Sequence, residues 1–118
     1  MHTSEQDGAE RARALAQAIE AAPMLIFVAD EAMQYIAVSD YACDVLGYTH
    51  EELLRMRVTD LAVEGRAAGE YRRMVEAGWL AGQARLRCKD GMEITMRYRA
   101  GETELDGRTA YVSVGWIE

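Results

Sequence analysis

The sequence predicts an α+β domain in which helices gather on one face of an antiparallel sheet. Three observations carry this expectation. The last forty residues alternate apolar and polar side chains with a period of two, interrupted by Asp90-Gly91 and Asp106-Gly107. Residues 24–29 (MLIFVA) and 35–38 (YIAV) are short, strand-forming runs near the start of the chain. Between these regions lie several short helical segments, each with its own start or stop signal.

Size and composition narrow the possibilities further. A chain of 118 residues that is 50% hydrophobic and 28% charged is long enough for one core and too apolar to be disordered. The formal charge of -7 argues against nucleic acid or an anionic membrane as partner, because phosphate binding needs a basic surface. Two isolated cysteines, Cys43 and Cys88, form no CxxC pair and have no nearby His, so no zinc site is readable. They suit a reducing cytoplasm better than a disulfide scaffold. The longest apolar run, residues 21–29, contains Pro23 and is far shorter than the ~20 residues of a membrane span. The N-terminus has no signal-peptide hydrophobic region.

Taken in order, residues 1–8 are polar, small and without periodicity, and are expected to be a disordered tail. Residues 9–22 are rich in strong helix formers and are expected to form a flanking helix ended by Pro23. Ala12, Leu15, Ala16 and Ile19 fall on one stripe of it, a thin seam suited to packing on its own domain or pairing with a second copy. The domain proper is expected over residues 23–118. After the two first strands, Ser39-Asp40 marks a helix start and Gly47 a left-handed stop. Thr49 opens another helix, with Glu52 three residues later as in a capping box. Thr59 or Asp60 can cap a short turn, and residues 64–78 read as a longer helix ended by Gly78.

The final region reads as a three-stranded meander. Ala84, Leu86 and Cys88 alternate with Gln83, Arg85 and Arg87, and Met92, Ile94, Met96 and Tyr98 with Glu93, Thr95, Arg97 and Arg99. A polar turn ending at Asp106-Gly107 precedes a last strand with Ala110, Val112, Val114 and Trp116 on one face. The alternation sends the basic residues to a solvated sheet face.

Four segments in this order resemble a PAS domain over residues 18–118: APMLIFVAD, VLGYTHEEL, CKDG and YVSVGWIE. The Leu-Gly-Tyr that ends one short helix, followed by a capped Glu-Glu-Leu, is the most specific. The resemblance implies a five-stranded antiparallel sheet in the order 2-1-5-4-3, with short helices folded over one face to enclose a pocket. It also implies a sensor or partner-binding module, within a kinase, cyclase or transcription regulator, and rarely an enzyme. The chain departs from the family at three turns. Ser39 followed by Asp40 stands where Asn is frequent, Met33 where Gly is frequent between the first strands, and Arg55 where Gly follows Glu-Glu-Leu-Leu.

No cofactor is identifiable from the residues. The helix over 64–78 has no His for haem; the context of Cys43 does not match the motif for covalent flavin photochemistry; a non-covalent flavin is left open. No nucleophile–base pair or Gly-rich phosphate loop is present, and Asp40, Asp44 and Asp60 are accounted for by caps and turns, so no catalytic or metal residue is assigned. The candidate pocket is apolar: Phe27, Ile36, Val38, Leu46, Met56, Leu61, Tyr71, Met74, Leu86, Ile94, Met96, Tyr98, Val112 and Val114, with Tyr71, Tyr98 and Trp79 as orienting groups. Seven methionines suit an adaptable wall. Two functions follow. One is a cytoplasmic sensor that binds a small apolar or aromatic molecule and relays it through a homodimer, a partner protein or an output domain. The other is a ligand-free protein–protein interaction module with a closed core, dimerising through residues 9–22 and the outer sheet face.

Overall fold

Period-two segments and short capped helices assemble here into one sheet with helices over one face. The computed structural model describes residues 4–63, 73 and 76–118. In chain order the elements are α1 (Ser4–Ala21), β1 (Leu25–Ala29), β2 (Tyr35–Val38), α2 (Asp40–Leu46), α3 (His50–Leu54), α4 (Val58–Leu61), β3 (Trp79–Arg87), β4 (Glu93–Leu105) and β5 (Arg108–Ile117). The five strands form one antiparallel sheet in the order β2-β1-β5-β4-β3, as the resemblance implied. Most of the helix expected over residues 64–78 lies outside the described residues; Arg73, Glu76 and Ala77 are helical, and Gly78 takes the left-handed φ of 82° that stops a helix.

Two boundaries differ from the sequence reading. Helix α1 opens at Ser4, inside the stretch expected to be a disordered tail. Once a helix has nucleated, each added residue gains one hydrogen bond at little cost, so propagation through Asp7 and Gly8 is cheap. Strand β4 runs on to Leu105, pairing residues 100–105 with 108–113. The polar turn shrinks to Asp106-Gly107, whose φ values of 51° and 77° twist the chain as tight hairpins require.

Ser39 joins the first strands to the first short helix. Its Oγ accepts from Ile26 N–H (3.1 Å) and Ala42 N–H (3.3 Å) and donates to the Met24 carbonyl (2.9 Å). Ser39 is 2% exposed, so these bonds are made away from water. At the other end of α2, Gly47 closes the helix with a left-handed φ of 81°, its N–H on Cys43 O. The Thr49–Glu52 capping box of α3 is fully formed. Ahead of α4, Asp60 accepts from Arg57 N–H at 2.8 Å. Arg55 has φ −94°, so the turn after α3 needs no glycine.

The β3–β4 hairpin is tied to these helices. Lys89 N–H donates to Leu46 O (2.8 Å), Cys88 Sγ lies 3.6 Å from Val45 O, and Lys89 Nζ is 2.7 Å from Glu52 Oε2. The Lys89 ammonium, with the Thr49 amide behind it, holds the Glu52 carboxyl below its ordinary range. Both sheet edges are partly covered. Tyr35 N–H reaches Met56 O (3.1 Å) beside β2, and Val63 N–H reaches Arg85 O (2.9 Å) beside β3.

Met33 occupies a left-handed conformation, with φ 66°, in the turn between β1 and β2. Asp30 organises the turn, its Oδ1 accepting from Ala32 and Gln34 N–H groups at 2.9 and 3.0 Å. An L-residue with a Cβ costs roughly 1 kcal/mol there relative to glycine. Met33→Gly is therefore expected to stabilise the fold by about 0.5–1 kcal/mol, after some lost side-chain packing, read as a higher denaturation midpoint. A lower midpoint would show that the Met33 side chain outweighs its backbone.

Candidate ligand site and interaction face

Register decides which side chains share the face beneath the helices. Phe27 pairs with Ser113, Leu25 with Gly115, and Gly115 in turn with Tyr98. Directly opposed residues in a sheet lie on the same face, and Leu25, Phe27 and Tyr98 belong to the buried core. The inner face of β5 is therefore Tyr111, Ser113 and Gly115.

Of the residues expected to line a pocket, Phe27, Val38, Leu46, Leu61, Leu86, Met96 and Tyr98 are buried in one cluster, with Met56 and Ile94 packed against it. Tyr71 and Met74 lie outside the described residues. Three others are corrected. Val112 and Val114 are on the opposite face, because both faces of β1 and β5 carry apolar side chains and alternation alone cannot say which points inward. Ile36 is 46% exposed, displaced by an irregularity in pairing between Val28 and Ala29. Trp79 is also misassigned as an orienting group: it lies on the outer face, with the Arg99 guanidinium 5.8 Å from its ring centroid.

The sequence reading missed two glycines that shape the inner face. Gly82 and Gly115 flank Tyr98 on neighbouring strands. The Tyr98 ring lies over Gly82, 3.5–3.8 Å from where a Cβ would sit. Met96 crosses Gly115 more closely: a Cβ there would meet its Sδ at 2.6 Å and its Cγ at 2.7 Å. Glycine inside a strand was the available signal, since it marks close approach of another group. Leu25 and Leu53, both fully buried, and Tyr35, whose ring centroid is 5.3 Å from that of Phe27, complete the wall. Burial, with Asp60 nearby, drives the Tyr35 hydroxyl well above its ordinary pKa, so it stays neutral.

His50 Nε2 lies 2.7 Å from Asp40 Oδ1 across the starts of α3 and α2. Burial raises the pKa of the Cys43 thiol, helped by Asp40 and Asp44, and likewise that of Cys88, helped by Asp90. Both are therefore weak nucleophiles near neutral pH. An open groove of about 330 Å³ runs between the end of α2 and the β3–β4 turn, with Asp44, Lys89 and Asp90 at its rim.

The outer face divides in two. On β3 and β4, Arg85 and Arg87 meet Glu93, while Arg97 meets Glu118 at 2.7 Å. On β1 and β5 the same face is apolar, with Ile26, Val28, Val112, Val114 and Trp116. The expected solvated face thus covers only half of the sheet.

Gly115→Ala is expected to destabilise the fold by about 1–3 kcal/mol, because the new methyl group would compete with Met96 for one space and would also meet the Arg97 carbonyl oxygen at 2.8 Å. In Gly115→Ala/Met96→Ala the two losses should fall short of additive, which a denaturation cycle measures. Full additivity would assign the cost to the Arg97 carbonyl oxygen and not to Met96.

Comparison with known proteins agrees with this geometry. The family profile described as PAS domain matches residues 13–79. The fold is similar to a crystal structure of a PAS domain from a two-component sensor histidine kinase, at 20% identity and TM-score 0.82, covering 96% of this chain and 100% of that one. It is similar to the PAS domain of an HTR-like protein from Haloarcula marismortui, at 17% identity and TM-score 0.82, covering 97% of each chain. It also resembles part of an RNA-binding light-oxygen-voltage receptor, at 17% identity and TM-score 0.80, covering 99% of this chain and 35% of that one. No curated protein matches the sequence. With a family match spanning more than half of its residues and a sheet of matching strand order, the chain belongs to the PAS domain family.

Proposed function

We propose that this PAS domain is a regulatory module of a cytoplasmic signal-transduction protein, acting through contact with a partner, first of all a second copy of itself. The observation that carries this reading is the state of α1. Every described side chain from residue 6 to residue 21 is exposed, including Leu15 at 57% and Ile19 at 45%. A helix with no buried side chain among residues 6–21 is marginal alone in water, so its apolar stripe calls for a partner. Ala12, Leu15, Ala16 and Ile19 are the proposed contact residues. The net charge of -7 favours a protein partner over nucleic acid or an anionic membrane.

Ligand sensing is a second reading, supported by the inner face. Met96, a flexible side chain, fills the space over Gly115, and Tyr98 stands beside it as an amphipathic group. A small apolar or aromatic molecule that displaced Met96 would shift the sheet–helix packing seen by the partner. Cys43 gives no support to covalent flavin chemistry, because its context, Asp40-Tyr41-Ala42-Cys43-Asp44, does not match the motif. The reading involves no catalysis, in keeping with a family of sensory modules that are not typically enzymes.

Native mass spectrometry of freshly purified protein tests both readings together. The expected species is a dimer, and Leu15→Glu/Ile19→Glu should shift it to a folded monomer, checked by far-UV circular dichroism. A wild-type monomer at micromolar concentration would contradict the partner reading. Retained mass beyond the polypeptide supports ligand sensing, and its absence together with an unchanged melting temperature across a library of aromatic acids would count against it.

A further inference from the structure

The turn between β3 and β4, residues 88–92, is held together more firmly than it is held to its neighbours. Within it, Cys88 N–H donates to Met92 O (2.7 Å), Gly91 N–H to Cys88 O (3.0 Å) and Met92 N–H to Asp90 Oδ1 (2.9 Å). Gly91 carries the φ of 91° that so tight a turn needs. These bonds make the turn one body, joined to the sheet at the Arg87–Glu93 pair.

Its ties to the helices are different in kind. Lys89 N–H on Leu46 O is an amide–carbonyl bond, but the Cys88 thiol, 3.6 Å from Val45 O, is a weak donor. The third tie, Lys89 Nζ to Glu52 Oε2, joins side chains that are 55% and 35% exposed, where water and salt weaken an ion pair. The helices themselves rest on the other side of the sheet, α2 against β1 and α3 against β2. Opening the turn would leave that packing in place.

What the turn covers is the core. Cys88 is 7% exposed and Leu46 is fully buried, and both belong to the central apolar cluster. The same two residues line the open groove of about 330 Å³ between α2 and the turn. Groove and core therefore share a wall, and one side of that wall belongs to the turn.

We propose that residues 88–92 form a flap that swings away from α2 and α3 while the sheet stays folded, joining the groove to the core and admitting a small apolar or aromatic molecule. The Lys89–Glu52 pair is its latch. Such an opening is local, drawn from the weakly tied end of the fold. The flap rests on the ligand-sensing reading above and supplies the way in for a molecule that displaces Met96.

Thiol labelling of the full chain with dithiodipyridine, a neutral aromatic disulfide, tests the flap. Attack by a cysteine thiolate releases thiopyridone and leaves a mixed disulfide, and peptide mass spectrometry separates Cys88 from Cys43. Each rate is taken relative to the same thiol in the urea-unfolded chain. Cys43, in the middle of α2, is the internal reference. In the wild type, Cys88 should be labelled about tenfold or more faster than Cys43, with a much weaker dependence on urea, since a local opening exposes little surface. Lys89→Met keeps the stem and removes the charge. It should speed labelling of Cys88 about two- to fivefold and leave Cys43 unchanged, and molar salt should do the same to the wild type. Equal rates at the two thiols, both with the urea dependence of global unfolding, would overturn the flap and leave a ligand to find another route. Fast labelling of Cys88 that ignores both Lys89→Met and salt would overturn the latch. Failure of the ligand reading shows separately, as absence of retained mass and of any shift in melting temperature, and leaves the labelling pattern unchanged.

Discussion

One serine hydroxyl sets the geometry on which the rest of the domain depends. Ser39 Oγ serves the Ile26 amide, the Met24 carbonyl and the Ala42 amide at once, joining the start of β1 to the end of β2 and capping α2. A buried polar group must find its partners inside the protein, and leaving one unmade costs about 1–3 kcal/mol. Asp40, freed from the cap, turns outward to His50. Because Met24 also closes the link from α1, the same hydroxyl helps set the direction in which the flanking helix leaves the body. Local hydrogen bonding thus reaches from the turn to the surface proposed for partner contact.

The second constraint is that the sheet has two apolar sides where it matters most. Beneath the helices, Gly82 and Gly115 let Tyr98 and Met96 lie flat across neighbouring strands, and the core closes over them. On the opposite side, Val28, Val112 and Trp116 remain partly open to solvent while the arginines of β3 and β4 are largely engaged with glutamates. A face that is apolar at one side and charge-satisfied at the other suits an amphipathic partner better than open solvent. The proposed sensing in the core and the proposed contact outside it would share strands β1 and β5, which gives a change of packing under Gly115 a short route to the outer face.

Much of this was legible in the sequence wherever a residue type has a local mechanism. Thr49 with Glu52, Gly47, Gly78 and Asp106-Gly107 announce caps and turns that need no tertiary information, and the structure has each of them. The inner residues of β3 and β4 were equally clear, because their other face is charged. In β5 the alternation of Val112, Val114 and Trp116 was real but pointed outward. The inward row, Tyr111, Ser113 and Gly115, is too small and polar to advertise itself. Ile36 was lost to an irregular register, which no periodicity encodes. The length of α1 and of β4 depended on propagation past polar residues, where composition argues for a loop and pairing or helix continuation prevails.

The departures from family pattern separate by their energetic consequence. Arg55 sits in an ordinary helical conformation and is accommodated without strain, whereas Met33 holds a left-handed one. Ser39 stands where the resemblance implied a longer amide side chain, and it makes three bonds. That substitution carries the account, and amide hydrogen exchange of Ser39→Ala tests it residue by residue. Exchange at Ile26 and Ala42 should accelerate about 10- to 100-fold beyond any change at Met96 and Tyr98 in the distant strand. Equal acceleration at all four amides, or none at Ile26 and Ala42, would contradict the role given to the hydroxyl.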